Sequence, residues 1–303
     1  MRRLIMVCLS AAVGAGSASA ATDLLVSSRF SDNVLRYSLD GEFLGVFADG
    51  NGMDNPNGVA VGADGLVYVA LGDVGRVMRF DASGAYVDDF IEVGSGGLAG
   101  GRAMRFGPDG NLYVNSAATD EVLRYDGTTG AFLGVAADGF DGPVGLTFAP
   151  NGNLFIGAAL TNQAMEFNSS GELVRTYTAP GFGQATGVLV DDDGVLYVAQ
   201  SVSNSVLRFD TATGAFIDEF ISGGLNIPIG MTFMPDGNLL VGSFGRDKAT
   251  IYDIETGGLV EVLVPNGLGG LDGTHNFAFI PAPGAGLVLL IAAAQGLAPR
   301  RRR

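Results

Sequence analysis

The sequence predicts an all-β fold, a six-bladed β-propeller made of four-stranded antiparallel blades, and three observations predict it. Five segments repeat one pattern, in which an Asp-Gly, or once an Asn-Gly, separates two short apolar runs. The glycines of these segments follow one another at steps of 45, 42, 42 and 43 residues, a period typical of propeller blades and other repeat folds. Half-units at the two ends of the repeat region complement each other. The repeated glycines are Gly65, Gly110, Gly152, Gly194 and Gly237.

Each repeat supplies four strands. The Asp-Gly or Asn-Gly step predicts a hairpin between the first two, because glycine tolerates positive φ and the preceding Asp or Asn caps the turn. A third strand such as Val77–Phe80 comes next, and a second turn such as residues 126–130 leads to a fourth strand such as Phe216–Ile221. Four short strands repeated radially make a propeller blade. Aspartates that follow the third strand are expected to cap the second turn: Asp40, Asp81, Asp126, Asp210 and Asp253.

The two half-units predict how the ring closes. Residues 23–27 match the second strand of a repeat and have no first strand before them, whereas residues 275–279 match a first strand and have no second after them. We therefore expect these segments to pair in one blade, with one strand from the C-terminal end and three from the N-terminal end. An open solenoid is the alternative, but it needs polar capping units and would not leave complementary halves.

Residues 1–20 have the pattern of a cleaved signal peptide. A basic start at residues 2–3 precedes an apolar run at 4–13, and the small residues at 18–20 suit a signal peptidase. A first buried helix, the alternative, would have an amphipathic pattern. The single cysteine of the chain, Cys8, lies inside this segment. The mature chain is therefore predicted to form neither disulfides nor thiolate metal sites.

The charge of the chain changes once its ends are set aside. The whole chain carries 17 basic and 32 acidic residues, a net charge of −15. Six of the basic residues lie in the two ends, so the body keeps 11 basic residues against 32 acidic ones and has a net charge of −21. Such a body repels phosphate backbones and anionic membrane surfaces. Nucleic acid is therefore not expected as a partner.

Residues 281–303 break the sheet pattern and are predicted to form a sorting tail, in which a proline motif precedes an apolar run at 285–298 and a terminal arginine cluster. This order resembles the PEP-CTERM sorting signal of Gram-negative bacteria, with Ala282 where that family usually has glutamate. The resemblance implies a hydrophobic transmembrane helix, transient inner-membrane anchoring, an exosortase-like sorting protease, and a final location on the cell surface or outside the cell. Whether the tail is cut or stays as an anchor is left open. The motif residues are Pro281, Ala282, Pro283, Arg300, Arg301, Arg302 and Arg303.

The repeats themselves also resemble a known family. The motifs Gly-Val-Ala-Val at 58–61, Asp-Gly-Asn-Leu-Tyr-Val at 109–114 and Val-Leu-Arg-Phe-Asp at 206–210 are similar to NHL repeats over residues 23–280. That superfamily includes the gluconolactonase and streptogramin-lyase propellers. The resemblance implies the fold and says little about function, because one propeller fold carries many activities.

Catalytic motifs are missing from the sequence. There is no G-x-S-x-G and no cysteine nucleophile in the mature chain, and the single histidine, His275, excludes paired-histidine zinc sites. Residues 191–194 superficially suggest a calcium loop, but they occupy the hairpin turn of the repeat and lack the twelve-residue ligand series. No catalytic residue and no cofactor are predicted.

Propellers usually bind ligands where their innermost strands begin. The residue eight positions before each repeated glycine samples that ring, and aligning 279–281 with 148–150 adds His275. A polar arc of the ring is the predicted ligand site, with Arg102 offering a fork for a carboxylate or sugar hydroxyls. The alternative is that these residues only plug and solvate the channel. The polar arc consists of His275, Asn57 and Arg102, which are neighbours in blade order, and the opposite arc consists of Val144, Thr186 and Ile229. The predicted ligand-binding residues are His275, Asn57, Arg102 and Thr186.

These residues predict an exported, non-enzymatic binding module for a saccharide, a peptide or a surface protein. The competing class is a metal-dependent gluconolactonase-like hydrolase or a streptogramin-lyase-like enzyme. Resemblance to the gluconolactonase propellers implies a divalent metal that is held by Glu, Asn and Asp side chains. Asn57 and Asp272 match parts of that ligand set, but no ring position is a glutamate. Resemblance to the streptogramin-lyase propellers implies several histidines in the channel together with a glutamate, whereas this chain has one histidine.

Overall fold

In the computed structural model, residues 22–281 are described and form six four-stranded antiparallel sheets. The innermost strands of neighbouring sheets contact one another all the way round, so the sheets are the blades of a closed ring. This confirms the predicted six-bladed β-propeller.

Every blade runs from an innermost strand at the axis to an outermost strand at the rim, in the order that follows. Blade 1 contains β24 (Thr274–Pro281), β1 (Thr22–Ser28), β2 (Asn33–Ser38) and β3 (Phe43–Asp49), and blade 2 contains β4 (Pro56–Val61), β5 (Val67–Leu71), β6 (Val77–Phe80) and β7 (Tyr86–Ile91). Blade 3 contains β8 (Gly101–Phe106), β9 (Leu112–Ser116), β10 (Glu121–Tyr125) and β11 (Phe132–Ala137), and blade 4 contains β12 (Pro143–Phe148), β13 (Leu154–Ala158), β14 (Gln163–Phe167) and β15 (Leu173–Tyr177). Blade 5 contains β16 (Ala185–Val190), β17 (Val195–Gln200), β18 (Ser205–Asp210) and β19 (Phe216–Ile221), and blade 6 contains β20 (Pro228–Phe233), β21 (Leu239–Ser243), β22 (Lys248–Tyr252) and β23 (Leu259–Val264). Short 3-10 helices lie at Arg29–Ser31, Ser95–Gly97, Phe244–Arg246 and Leu268–Gly270.

Blade 1 closes the ring as the half-units predict. Strand β24 pairs with β1, and Thr22 lies opposite Pro281. Pro281, the first residue of the predicted tail, is thus the last residue of β24. Next to this seam the Arg36 Nε donates to Asp23 Oδ2 over 2.6 Å, and both side chains are about nine-tenths buried. The ion pair joins β1 to β2, and the Arg36 Nη2 also donates across the seam to the Pro281 carbonyl over 3.4 Å.

The core consists of layers between adjacent blades. The second strand of a blade is covered on both faces, which explains its unbroken apolar run: all five residues of Val67–Leu71 are buried. The outermost strands begin exposed and become buried towards their ends, as in Leu259–Val264. Each layer therefore depends on side chains from two neighbouring sheets, as in the cluster that joins Leu25 and Ile280 to Met78.

The two ends of the ring differ, and we name them by what they contain. The mouth face is where the innermost strands begin, together with the loops between second and third strands. In every blade an N–H of that loop donates to a carbonyl just before the innermost strand. The turn face is the opposite end, with two hairpin turns in each of blades 2 to 6 and one in blade 1, where Thr22 and Pro281 take the place of the other. The mouth-face bonds join Arg29 to Gly273, Gly72 to Asn55, Ala117 to Gly100, Ala159 to Gly142, Ser201 to Gln184 and Phe244 to Ile227.

The turns of the turn face follow the predicted chemistry with one exception. The five repeated glycines have φ between 79° and 91°, and Asp81 Oδ1 accepts N–H bonds from Ser83 and Ala85 as a cap. In blade 1 the aligned cap is Ser38, whose Oγ accepts from the Glu42 N–H over 3.0 Å. The expectation for Asp40 was wrong, because Asp40 lies two residues further into the turn. Residues 191–194 form a turn capped by Asp191.

Several predicted segments lie outside the described residues. They are the signal peptide at 1–20, Ala282 and Pro283 of the tail motif, the apolar run at 285–298 and the arginines at 300–303. Within residues 22–281, no helix is long and apolar enough to cross a membrane.

Candidate functional site

The predicted ring residues share one register in the structure. Each is the second residue of its innermost strand: Asn57 in β4, Arg102 in β8, Val144 in β12, Thr186 in β16, Ile229 in β20 and His275 in β24. All are buried except Arg102, which is part-exposed. The ring is therefore a closed layer of side chains, with one charged group that solvent can reach.

Close packing around the axis explains this closure. A glycine follows the ring residue in four of the six innermost strands, and a Cβ on Gly187 would overlap the Ile229 carbonyl oxygen of the next blade. The axial cavity that remains is about 20 Å³ and is lined in part by Arg105 and Asn276. That volume holds roughly one water molecule. This cavity is therefore too small for an organic ligand. The four glycines are Gly58, Gly145, Gly187 and Gly230.

Two of the predicted site residues tie neighbouring blades together. The Thr186 hydroxyl lies 2.6 Å from the Pro228 carbonyl oxygen in the next blade, and the Asn57 amide donates to the Gly101 carbonyl over 2.9 Å. The Asn57 Oδ1 is buried and has no hydrogen-bond partner among residues 22–281. Thr186 thus contributes to blade packing, while Asn57 keeps one unused acceptor.

His275 is a buried, uncharged group at the same level. Its side chain is 1% exposed, and within the described chain neither ring nitrogen has a hydrogen-bond partner. Burial lowers the pKa of His275 to about 3, with the positive charges of Arg102 and Arg29 acting in the same direction and the Asn57 backbone weakly against them. The imidazole is therefore neutral at ordinary pH. Its ring meets Phe244 edge-on, with 6.4 Å between centroids.

Two arginines lie next to this histidine without a carboxylate on either. In the described part of the chain, Arg102 forms no hydrogen bond and no ion pair, and burial together with the charge of Arg29 lowers the pKa of its guanidinium. The Arg29 Nε donates to Asn55 Oδ1 over a long 3.4 Å. Elsewhere in the described residues, four arginines do pair with aspartates: Arg36, Arg76, Arg79 and Arg208.

Two aromatic rings lie beside Arg29 and His275. Phe30 and Phe244 pack edge-to-face with 5.4 Å between centroids, and the Arg29 guanidinium lies 5.5 Å from the Phe30 centroid. Gly273 makes this approach feasible, because a Cβ there would lie 2.9 Å from the Phe30 ring, and its φ of +72° favours glycine. We call the resulting group the mouth cluster: Arg29, Phe30, Arg102, Phe244 and His275.

Sequence reasoning missed three members of the mouth cluster. Arg29, Phe30 and Phe244 lie in loops between second and third strands, which the repeat pattern marks only as connections. The available signal was a departure from the repeat: the aligned loop of blade 3 has Ala117 and Ala118 where blade 1 has Arg29 and Phe30. Only blades 1 and 6 of the described chain have a 3-10 helix in this loop.

The mouth cluster lies within an apolar rim. Large apolar side chains of the mouth-face loops, including Phe30 of the cluster itself, are exposed by 37% to 67%, although burial would be favourable. The two arginines therefore lie at the centre of this face, among exposed apolar side chains and the exposed carboxylates of Asp32, Asp73 and Asp272. The rim residues are Phe30, Val74, Leu160, Val202 and Ile227.

The two residues that resemble fragments of a metal site differ in their surroundings. Asn57 is buried with one unused oxygen, whereas Asp272 is exposed, and its carbonyl accepts from the Phe30 N–H over 3.0 Å. Among residues 22–281, no group of three or more His, Cys, Asp or Glu side chains is placed to hold a metal ion. The ligand and metal roles of these residues stay predictions.

Comparisons with known proteins identify the fold. No protein-family model and no curated protein sequence matches the chain. A protein of unknown function from Bacteroides caccae is similar with a TM-score of 0.69 and 16% identity, over 86% of this chain and 99% of that chain. A chain of a nidogen/laminin complex is similar with a TM-score of 0.69 and 15% identity, over 85% and 98%.

A third similar structure belongs to an enzyme. Virginiamycin B lyase from Staphylococcus aureus has a TM-score of 0.58 and 16% identity, over 86% of this chain and 82% of that chain. At such identities the similarity establishes the fold alone. Together with the six sheets, it defines this chain as a six-bladed β-propeller. The similar structures include both a binding complex and a lyase, so the site itself has to carry any argument about function.

Proposed function

We propose that the chain is an exported, non-enzymatic interaction module that binds a peptide or protein partner on its mouth face. The observation that carries the proposal is the mouth cluster, where Arg102 is part-exposed, has no partner within the described residues and lies beside Arg29. Apolar side chains are exposed around it. A charged centre within an apolar border is a common composition of binding surfaces, in which aromatic residues and arginine are enriched.

The electrostatics of the body support this choice of face. The described residues contain 32 acidic and 11 basic residues, so carboxylates suitable for neutralising any arginine are plentiful. The charge of Arg29 acts against that of Arg102 and lowers the pKa of the Arg102 guanidinium, because like charges repel each other. An anionic group from a partner would relieve that repulsion, so its binding to the mouth face would be electrostatically favourable.

The chain ends support an orientation. Pro281 lies at the turn face, six residues beyond His275 in β24, which corresponds to about 20 Å along a strand. A tail that begins there and anchors the protein would hold the turn face towards the membrane and leave the mouth face outward. Export through residues 1–20, processing of the 281–303 tail by an exosortase-like protease and a location at or outside the cell surface belong to this proposal.

Binding to arrays of peptides and glycans tests the proposal. We expect wild type to bind members of the peptide array and Arg102→Ala to bind them more weakly. Arg175→Ala is the matched control, because Arg175 lies in an outer strand and donates to the Thr211 and Ala212 carbonyls near the turn face. Equal binding by wild type and Arg102→Ala would remove Arg102 from the site.

Metal analysis separates this proposal from the enzymatic alternative. The purified protein is expected to contain no stoichiometric divalent metal. A stoichiometric metal that is lost in Asp272→Ala would contradict the proposal and favour a lactonase-like or lyase-like activity.

A further inference from the structure

We infer that the mouth cluster recognises the free C-terminal carboxylate of its partner, with apolar residues of the partner's last turn or strand resting on the rim. This inference rests on the proposed function and names the chemistry of its ligand. It follows from three features of the mouth: the unpaired guanidinium groups, the closed ring beneath them and the apolar border around them.

The guanidinium groups select a planar carboxylate. An arginine side chain offers parallel N–H donors that match the two oxygens of a carboxylate, and such charge-assisted pairs are among the strong hydrogen bonds of proteins. Arg102 has all of its donors unused within residues 22–281. Arg29 uses one donor in a long bond to Asn55, so a second guanidinium is available nearby.

The closed ring favours entry by a chain end. The axial cavity below Arg102 is about 20 Å³, so a peptide cannot pass through the channel. A side-chain carboxylate in the middle of a partner chain would require two flanking strands of backbone to cross the rim. A terminal carboxylate needs only one, and it reaches Arg102 end-on.

The surroundings select against more highly charged ligands. Carboxylates lie on the same face as the mouth cluster, including Asp32, Asp54, Asp73 and Asp272. They would repel a phosphate dianion or an acidic polysaccharide more strongly than a single carboxylate. His275 adds no positive charge, because burial keeps it neutral at ordinary pH.

The apolar border defines the rest of the ligand. Phe30, Leu160 and Val202 are each more than half exposed, and apolar partner side chains near the C-terminus would cover them. Burial of such side chains is favourable by about 25 cal/mol for each Å². We therefore expect a preference for apolar residues at the last few positions of the partner.

The test compares two octapeptide libraries of identical sequences, one with free C-terminal carboxylates and one with C-terminal amides. Wild type should bind the best acid peptides about tenfold more tightly or better than their amides, in line with one charge-assisted hydrogen-bonding pair. Arg102→Gln should lose most of this preference, and the double variant with Arg29→Gln should bind acid and amide equally. Arg102→Lys should keep part of the preference, because lysine keeps the charge and loses the fork.

Arg105→Gln is the matched control. Arg105 lies three residues further along β8, is part-exposed and also has no hydrogen bond or ion pair within the described residues, but it lines the axial cavity instead of the mouth. This variant should keep the full acid preference. If Arg102→Gln fails to fold by circular dichroism, Arg29→Gln replaces it and should weaken binding of the acid peptides only.

The outcomes separate the inference from the proposed function. Acid and amide peptides that bind folded wild type equally well would overturn the inference and leave the interaction module standing. The inference would also be overturned if acid peptides still bound more tightly than their amides after both Arg102→Gln and Arg29→Gln had been introduced. If folded wild type bound no peptide of either library, the proposed function itself would fail.

Discussion

The mouth face and the turn face of this propeller are built from the same six repeats but use them differently. On the turn face the same turn cap is repeated from blade to blade: an Asp or Asn side chain accepts N–H bonds within a hairpin turn, as Asp81 and Asp191 do. On the mouth face the aligned loops differ, and Arg29, Phe30 and Phe244 occur in two of them only. Positions that keep the repeat build the fold, and positions that depart from it create the candidate site.

The two faces also differ in how their polar groups are satisfied. The turn-face aspartates accept several N–H and O–H bonds each. Near the mouth, His275 and the Asn57 Oδ1 are buried without partners in the described residues. Unsatisfied buried polar groups are uncommon in stable domains because they cost folding free energy. The mouth end is therefore expected to contribute less to stability than the turn end.

The largest expected effect comes from closing the space around the axis. In Gly187→Ala the new Cβ would overlap the Ile229 carbonyl oxygen, and backbone cannot move aside as a side chain can. We expect a loss of about 3 kcal/mol or more in the free energy of unfolding, measured by chemical denaturation. Gly223→Ala is the control, since nothing lies within 4 Å of its Cβ position. An equally small loss in both variants would contradict this close packing around the axis.

The next effect concerns the seam on the turn face. Arg36→Met leaves the buried Asp23 carboxylate without its partner, and we expect a loss of about 3 kcal/mol. Arg208→Met is matched, because it occupies the aligned position of β18 and its partner Asp218 is 43% exposed; its loss should be about 1 kcal/mol or less. The denaturation midpoints of the two variants provide the comparison. Equal losses of stability would show that the buried pair contributes no more than the half-exposed pair.

The pH dependence of stability should report His275 directly. Because burial holds the pKa of His275 near 3, the unfolded chain takes up a proton at about pH 6.5 while the folded chain does not. Stability should therefore fall as the pH drops below about 6.5, by about 1.4 kcal/mol per pH unit, until the folded-state pKa is reached. His275→Gln should lack this component between pH 6 and pH 5. Parallel pH profiles for the two proteins would contradict the buried, neutral state.

The smallest effect is expected for a single turn cap. Hydrogen bonds from Ser83 and Ala85 lower the pKa of Asp81 below its ordinary value of 3.8. The stabilisation that they provide is present above that value and is lost as the pH falls through the lower folded-state pKa. Asp81→Asn should therefore lower stability slightly at pH 7 and lessen the acid sensitivity below about pH 4. A change in its pH profile between 5 and 7 would be unexpected.

The sequence predicted the fold because the repeat is local. Turn glycines and strand lengths fix the register, so counting back from Gly65 or Gly110 found the innermost ring at Asn57 and Arg102. The burial of the ring residues was not predictable from the sequence, because it depends on how closely Gly187 approaches the next blade. For the same reason Thr186, expected in an open pocket, is hydrogen-bonded to Pro228.

Loop residues were harder to predict than strands. Phe30 and Phe244 come together only because blade 1 and blade 6 are neighbours in the closed ring, and more than 200 residues separate them in the sequence. No local pattern indicates such a contact. Asp40 was expected at the same repeat position as the other turn-cap aspartates, whereas Ser38 is the aligned residue.

Hydrogen exchange tests the functional assignment of the two faces most directly. The protein would be saturated with the best free-acid octapeptide, and the protection of each amide would be compared with that of the unbound protein. The account predicts added protection at residues 29–31, 244–246 and 272–275, around the mouth cluster, and none at the turn-face hairpins 81–85 and 126–130. Protection confined to those hairpins, or to the outermost strands, would contradict it.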